Sequence, residues 1–422
     1  MKHRVAITGI GVVSPVGSGR ERFWQALLAG RSGVRAISLF DVSEFPVRIG
    51  GQVDDLDTDA IARIFGPQMR ERDRKVPLGL AAAAEAITDS GLANGALRNA
   101  RLHVGVGLEA FFLEDLTPIA HAADTAAALA RASCGNGRPV AVQTPLDRLA
   151  QLIGLHYGIT GGRITNCSAC AAGSQAIGEA FRAVRDGTTE AALAGAADSM
   201  LNPLGLGGFS LLRVLSTENE RPSEACRPFD ATRQGTVLGE GAAFLVLESV
   251  EHARARKARI YAEILGYGGS MDAFRVSDPE PAGRGAVLSM AKALRDAGLA
   301  PADIGCINAH GTGTPKNDVV ETNAIKEVFG DRARSIPVHA VKSMTGHMIA
   351  ASGAVEAAAA VLTIHDGRIP PTINLRTPDP QCDLDYVPNN SRPFTGGAVL
   401  SNSFGFGGQN ASLVFGQARG EA

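Results

Sequence analysis

The sequence predicts an α/β fold made of two similar halves. Three observations lead there. Strand-like runs alternate with Ala-rich helical stretches along the whole chain. Those runs are apolar almost throughout rather than alternating, as expected of strands covered on both faces. Two pairs of segments also correspond internally. AAAAEAITDSGLA at 81–93 and SMAKALRDAGLA at 289–300 are each followed by a strand, and a helix after Cys170 ending Asp186-Gly187 parallels one after His347 ending Asp366-Gly367.

Taken in order, the strand candidates are VAITGIGVV at the start, LHVGVG near 102, RITNCS near 163, AALAG near 191, AAFLVLE near 242, IYAEILGYG near 260, IGCINA near 304 and VLSNS near 399. The halves meet near residue 250, giving an N-terminal unit over 1–250 and a C-terminal unit over 251–422. The charged stretch EHARARKAR at 251–259 reads as a solvated helix between them. No low-complexity linker intervenes, so one compact body is expected. The 50 glycines among 422 residues exceed the usual share and point to tight turns and helices lying directly on strands.

Composition excludes several classes. Hydrophobic residues make up 45% and charged residues 20%, which fits neither disorder nor a fibrous repeat. A formal net charge of −2 gives no reason to expect nucleic-acid or membrane partners, so electrostatic docking must be local. The opening MKHRVAITGIGVVSPVG could pass for a signal peptide, but Gly9, Gly11, Ser14 and Pro15 interrupt its apolar region and favour a first strand. No apolar run approaches the roughly 20 residues a bilayer span needs. The six cysteines are scattered, which fits a reducing, cytoplasmic setting better than a disulfide framework.

Three strand ends carry candidate chemistry. RITNCSACAAGSQAIGEAFRAVRDG reads as a strand, a sharp turn holding Cys170 and a helix, so the thiol sits where free amides and the helix dipole favour a thiolate and can hold an oxyanion. Alone, a cysteine at such a turn is more often an inert small hydrophobe. The Cys167-x-x-Cys170 spacing also admits a redox pair or, with less support, zinc ligation. INAHGTGTPKND places His310 at the end of an apolar strand, before a helix that Asn317 or Asp318 could cap. VKSMTGHMIAASG places His347 after a tight turn, entering a long Ala-rich helix. Either histidine alone could be structural. Cys170, His310 and His347 together are what nucleophilic catalysis with acid–base assistance requires. Lys342 reads either as a surface lysine or as a buried cation paired with Glu321 that tunes the imidazoles. LSNSFGFGGQN lacks the context of a phosphate loop and reads as a lid, with Phe404 and Phe406 as stoppers on glycine hinges. GIGVVS lacks the third glycine of a dinucleotide fingerprint.

Six ordered segments, SACAAGSQAIG, CRPFDATRQGTVLGEGAAFLVLE, INAHGTGTPKND, VKSMTGHMIAASGAVEA, IPPTINLRTPDPQCDLDYVPN and LSNSFGFGGQN, together resemble the β-ketoacyl-acyl-carrier-protein synthases of the KAS II type, essentially end to end. The resemblance implies the thiolase fold, with duplicated βαβαβαββ halves in a five-layered α-β-α-β-α sandwich, usually a dimer. It implies an acyl chain on Cys170, decarboxylation of malonyl-carrier protein promoted by His310 and His347, and support from Lys342 and Glu321. It further implies an oxyanion hole from the amides of Cys170 and Phe404, pantetheine contacts from Thr312 and Thr314, and gating by Phe404. No metal or separate cofactor is implied, because substrates arrive on the phosphopantetheine of acyl carrier protein. The implied partners are that carrier and a second ketosynthase-like subunit, either an identical copy or a chain-length factor.

Docking of an acidic carrier calls for a basic patch, for which Arg70, Arg72, Arg74 and Lys75 in MRERDRK, with Arg213, are the candidates; a solvated face is the plain alternative. The chain departs from the family pattern in three places. RQGTVLGEG puts Gln234 and Thr236 where an acidic and an aromatic residue are usual, Glu109 stands where a small residue is typical, and the expected interface and acyl-pocket segment 142–158 is more polar than usual. These departures point to a specialised synthase, such as a type II polyketide or polyene ketosynthase. A degradative thiolase would carry a second cysteine near the C-terminus, where SNSFGFGG has none, and a non-catalytic chain-length factor would lack the Cys170 nucleophile.

Overall fold

The computed structural model describes residues 2–66, 71–93, 95–108, 123–124, 126–127 and 145–418. Glu109 and Arg70, singled out above, lie outside the described residues. The first half contributes β1 (Val5–Ser14), β2 (Arg101–Val106), β3 (Arg163–Asn166), β4 (Ala191–Ser199) and β5 (Glu240–Ser249). The second contributes β6 (Ala262–Met271), β7 (Ile304–Asn308), β8 (Val338–His339), β9 (Ala398–Phe404) and β10 (Gln409–Gly416). These hydrogen-bond in the order β8-β7-β9-β10-β6-β1-β5-β4-β2-β3, so each half repeats one order, third-second-fourth-fifth-first. Strand directions repeat as well: the second strand runs parallel to the third and fourth, and the fifth is antiparallel to its neighbours. The halves join where β1 and β6 pair antiparallel, with Val5 opposite Ile264 and Ile7 opposite Ala262.

Helices fill three layers. The outer helix α1 (Lys75–Ser90) lies on β1, β5 and β4, and α3 (Arg284–Ala297) lies on β6 and β10. Between the sheets run α2 (Ala172–Arg185) and α5 (Ser352–Asp366), touching strands of both halves; α4 (Pro315–Phe329) packs beside α3. The expected five-layered, duplicated fold is therefore observed, and the internal repeat maps onto it, with one pair of repeats in the outer layers and the other in the centre.

Glycine makes the outer layers possible. A Cβ on Gly9 or Gly11 of β1 would lie 2.2 or 2.0 Å from the carbonyl oxygen of Ala86 or Ala82 in α1. One on Gly266 or Gly268 of β6 would lie 2.4 or 2.1 Å from that of Ala293 or Ser289 in α3. The same backbone approach occurs in both halves, so the GIG near the N-terminus is a packing device. The central helix also corrects an expectation. Ile349–Asp366 is long and apolar enough to cross a membrane, yet 89% of it is buried inside the protein, where both its faces meet sheets. Ala-rich sequence lets it fit there.

Candidate active site

Cys170 sits in a 3₁₀ turn, Ala169–Ala171, between β3 and α2. Ala169 adopts φ 47°, a left-handed conformation that L-residues hold only when surroundings enforce it, and the sharp elbow turns Cys170 into the interior at 3% exposure. Burial pushes its thiol up to about 11; the Phe406 amide and the charge of Lys342 pull the other way and do not prevail. The resting group is therefore the thiol. The thiolate expected at this helix start is not the ground state, because loss of water outweighs the amides. Cys167, by contrast, is exposed, and its sulfur lies 3.4 Å from the Gly107 carbonyl.

Both histidines converge on that thiol. His347 Nε2 lies 3.2 Å from Cys170 Sγ, and the His310 ring meets the His347 ring edge-on with centroids 5.3 Å apart. Their tautomers follow from their partners. The Ile349 N–H donates to His347 Nδ1 at 3.2 Å, with Ser352 Oγ 2.9 Å from the same nitrogen. Lys342, which can only donate, lies 3.2 Å from His310 Nδ1. Each Nδ1 is thus an acceptor, and each proton sits on Nε2. Burial holds both imidazoles well below the usual histidine range, assisted by Lys342 and, for His310, by His347. The site accordingly presents two neutral N–H donors beside a thiol.

Lys342 is buried and has three acceptors for its three protons: His310 Nδ1, the His310 carbonyl at 2.7 Å, and the carboxylate of Glu356. The expected Lys342–Glu321 pair is therefore corrected. Glu321 instead accepts the N–H groups of His310 and Gly311 at 2.8 and 2.9 Å and fixes the loop that carries the imidazole. Burial raises both carboxyls to about 7. Glu356 went unread in the sequence, although a lone acid inside AVEAAAAV is a signal: a charge in an all-buried helix requires a partner. The cap of α4 also differs from expectation, since Thr314 accepts the Asn317 N–H, while Asp318 turns inward to the Phe229 and Gly313 N–H groups.

The glycine-rich loop closes over this group. Gly405 passes so near that a Cβ there would lie 3.1 Å from the Cys170 nitrogen. The amide directed at the Cys170 sulfur, besides that of Cys170 itself, belongs to Phe406. This corrects the assignment to Phe404, which ends β9 and rests its ring against His310 with centroids 5.9 Å apart. The loop is fastened by the Gly407 N–H to the Val276 carbonyl at 2.7 Å and by the Asp272 N–H to the Gly408 carbonyl at 2.9 Å.

A pocket of about 300 Å³ opens onto Cys170, His310 and His347. Thr312 and Thr314 line it, their hydroxyls 2.9 Å apart, as do the divergent Gln234 and Thr236. Exposed Arg213 stands on its wall. Of the expected acyl-pocket segment 142–158, residues 142–144 lie outside the described residues and 145–158 take no part in lining it. Two expected docking residues are engaged internally: Arg74 keeps about a third of its side chain in solvent but is held from within, and Lys75 is buried. Arg74 binds the buried Glu240 at 2.8 Å and the Val53 carbonyl at 3.0 Å, and Lys75, 2% exposed, is paired with Asp73 at 2.5 Å. Sequence cannot distinguish such internal pairs from a basic face. The Cys170, His310 and His347 donor atoms lie within 4.8 Å of one another, close enough to hold a metal ion, but the Lys342 ammonium already sets a cation beside them.

Residues 2–253 match the family described as beta-ketoacyl synthase, N-terminal domain, and residues 261–376 match beta-ketoacyl synthase, C-terminal domain. Curated relatives named 3-oxoacyl-[acyl-carrier-protein] synthase 2 include one from Coxiella burnetii, 42% identical over 414 residues, and one from Synechocystis sp., 41% identical over 415 residues; each alignment covers 98% of both chains. Among solved structures, "The ishigamide ketosynthase/chain length factor" is 36% identical with a TM-score of 0.86, covering 99% of this chain and 100% of that one. A type II polyketide ketosynthase in complex with its acyl-carrier protein is 32% identical with a TM-score of 0.84, at the same coverage.

Proposed function

This chain belongs to the β-ketoacyl synthase family, and from that premise we propose that Cys170, His310 and His347 carry out decarboxylative Claisen condensation of an acyl thioester with malonyl-acyl carrier protein. It is an acyltransferase-type condensing enzyme, and no cofactor enters apart from the carrier's phosphopantetheine. One observation carries the assignment of roles: a buried thiol 3.2 Å from an imidazole, with both imidazoles held as Nε2–H donors.

In the first step the Cys170 sulfur attacks the incoming thioester. Its proton passes to the departing pantetheine thiol, and the tetrahedral oxyanion rests on the Cys170 and Phe406 amides. In the second, the two Nε2–H groups bind the malonyl thioester oxygen. As the bond to the carboxylate breaks and carbon dioxide leaves, the electron pair moves into the enolate they stabilise. The enolate carbon then attacks the acyl carbonyl, the carbon–sulfur bond to Cys170 breaks, and a proton restores the thiol. Lys342 keeps His310 in the donor tautomer, and Glu321 holds its loop. The first half of the chain thus supplies the nucleophile and the second the imidazoles.

Thr312 and Thr314 on the pocket wall fit a pantetheine arm, and Arg213 fits an acidic carrier. A second ketosynthase-like subunit fits β3, the edge of the sheet among the described residues, whose Ile164 is 46% exposed, beside Leu155 at 71%. The free thiols of Cys170, Cys226, Cys306 and Cys382 suit a cytoplasmic setting. Gln234 and Thr236 fit an elongating synthase of fatty-acid assembly or of a specialised polyketide or polyene pathway.

Intact mass after incubation with an acyl-carrier thioester tests the covalent step. A single acyl adduct is expected, absent from Cys170→Ala. An unmodified wild-type chain, or an adduct that survives the substitution, would overturn it.

A further inference from the structure

One loop runs along the pocket wall from floor to mouth. His310 and Thr312 are 2% and 6% exposed, Thr314 is half-buried, and Pro315 and Lys316 are exposed; all five line the cavity. A second segment lies against the outer half of that loop. Gly235 N–H donates to the Gly313 carbonyl at 3.1 Å, and a Cβ on Gly313 would lie 3.2 Å from the Gly235 carbonyl oxygen. The contact sets Gln234, which is exposed and lines the same pocket, next to the Thr312–Thr314 stretch. On its other side the segment is held just after Arg213, where Thr236 N–H donates to the Val214 carbonyl at 2.8 Å. Gln234 therefore stands between the exposed arginine at the mouth and the threonines that lead down to the imidazoles.

These side chains differ in what they have left to offer. Thr314 Oγ1 accepts the Asn317 N–H at 3.4 Å as the cap of α4, Thr312 Oγ1 accepts the Thr314 N–H at 3.3 Å, and the two oxygens lie 2.9 Å apart. Both hydroxyls are thus largely engaged in holding their own loop. Gln234 is not: its amide makes no hydrogen bond among the described residues, which leaves one carbonyl and two N–H groups free on the pocket wall.

A thioester carried on pantetheine reaches Cys170 through this pocket, and the arm has two amides, an inner one on the cysteamine and an outer one on the pantoyl group. We propose that Gln234 binds the outer amide, its N–H donating to the arm's carbonyl and its carbonyl accepting the arm's N–H. The outer amide is the one at the level of an exposed residue, since the buried Thr312 lies nearer the imidazoles. This deepens the condensation reading above and rests on it. A carboxylate, usual at this position in the family, can only accept. Gln234 supplies a donor as well, and it leaves no negative charge where the arm's phosphate must enter. Such a contact is the same in the ground and transition states, so it acts on KM and not on kcat.

The test compares the wild type with Gln234→Met, of similar length without the amide, and Gln234→Glu, which keeps an acceptor and loses the donor. Apparent KM for malonyl-carrier protein should rise about three- to tenfold in Gln234→Met, the range for one or two neutral hydrogen bonds, and at least as far in Gln234→Glu, with kcat unchanged in both. Two controls locate the contact. The N-acetylcysteamine thioester of malonate, which has only the inner amide, should react equally with all three, and carrier protein without its pantetheine arm should bind all three with the same affinity. An unchanged KM in Gln234→Met, an equal loss with the N-acetylcysteamine thioester, or an equal loss of affinity for the carrier without its arm would overturn the proposal. A wild-type chain that is never acylated at Cys170 would instead remove the condensation reading itself, and the proposal with it.

Discussion

The two central helices begin in the same way and end up with different work. Each follows a 3₁₀ turn, Ala169–Ala171 or Ile349–Ala351, and each turn opens on a residue in the left-handed region, Ala169 at φ 47° and Ile349 at φ 42°. Cys170 and Ala350 therefore occupy equivalent places in the two halves. At Cys170 the amide faces its own sulfur and the pocket. At Ala350 the amide is taken by the buried carboxylate of Asp198 at 3.0 Å. One elbow is open to substrate. The other is closed and locks the segment that carries His347. The duplicated backbone provides two such elbows, and the difference lies in whether the amide is satisfied from within.

Removing the buried cation between the two sites should have the largest effect. Lys342→Met leaves the buried Glu356 carboxyl without the ammonium that favours its ionised form and lets His310 change tautomer. Stability should fall by about 3–5 kcal/mol in urea unfolding, with decarboxylation lost at temperatures where the variant remains folded. Blocking the open elbow comes next. Gly405 has φ −110°, which alanine accepts, but the added methyl would sit 3.1 Å from the Cys170 nitrogen and 3.2 Å from that of Ala171. Condensation by Gly405→Ala should drop on the order of 10²-fold, as for loss of an oxyanion donor, with little change in unfolding.

The thiol gives a milder signature. With Cys170 pushed up to about 11, its alkylation by iodoacetamide should quicken about tenfold per pH unit between roughly pH 7 and 9. A plateau below that range would show a thiolate ground state. At the closed elbow the effect should be smallest. Burial raises Asp198 to about 7, so the folded state binds a proton that the unfolded chain has already lost at lower pH. Its contribution is present below about pH 4 and disappears as pH rises to about 7. Asp198→Asn keeps an acceptor for the Ala350 amide and does not ionise, so its stability relative to wild type should improve from pH 5 to pH 8. His310 and His347, held low, act in the opposite sense, and their contribution falls away as pH drops below about 6.5 in both proteins.

Much of this was legible in the sequence. Apolar strands alternating with Ala-rich helices gave the layers, and the paired repeats gave their duplication. Cys170 and His310 stood just past strand ends, where α/β folds gather chemistry, whereas His347 follows its strand only after the helical turn Lys342–Thr345. Three features were not legible, because they depend on contacts between distant segments. Lys342 pairs with Glu356 rather than Glu321, since α5 brings its one buried acid to the Lys342 ammonium. Phe406 rather than Phe404 supplies the amide, since the turn after β9 swings the backbone over Cys170 by two residues. Arg74 and Lys75 look like a basic face in one dimension, yet they are held by Glu240 and Asp73.

The central claim is a division of labour, with the nucleophile at the open elbow of one half and the decarboxylating imidazoles on the other. Carbon dioxide release from malonyl-carrier protein, measured alongside acyl-adduct formation, tests it most directly. Cys170→Ala should lose the adduct and still release carbon dioxide, and His310→Ala should keep the adduct and cease to release it. Loss of both steps in either variant would contradict the division.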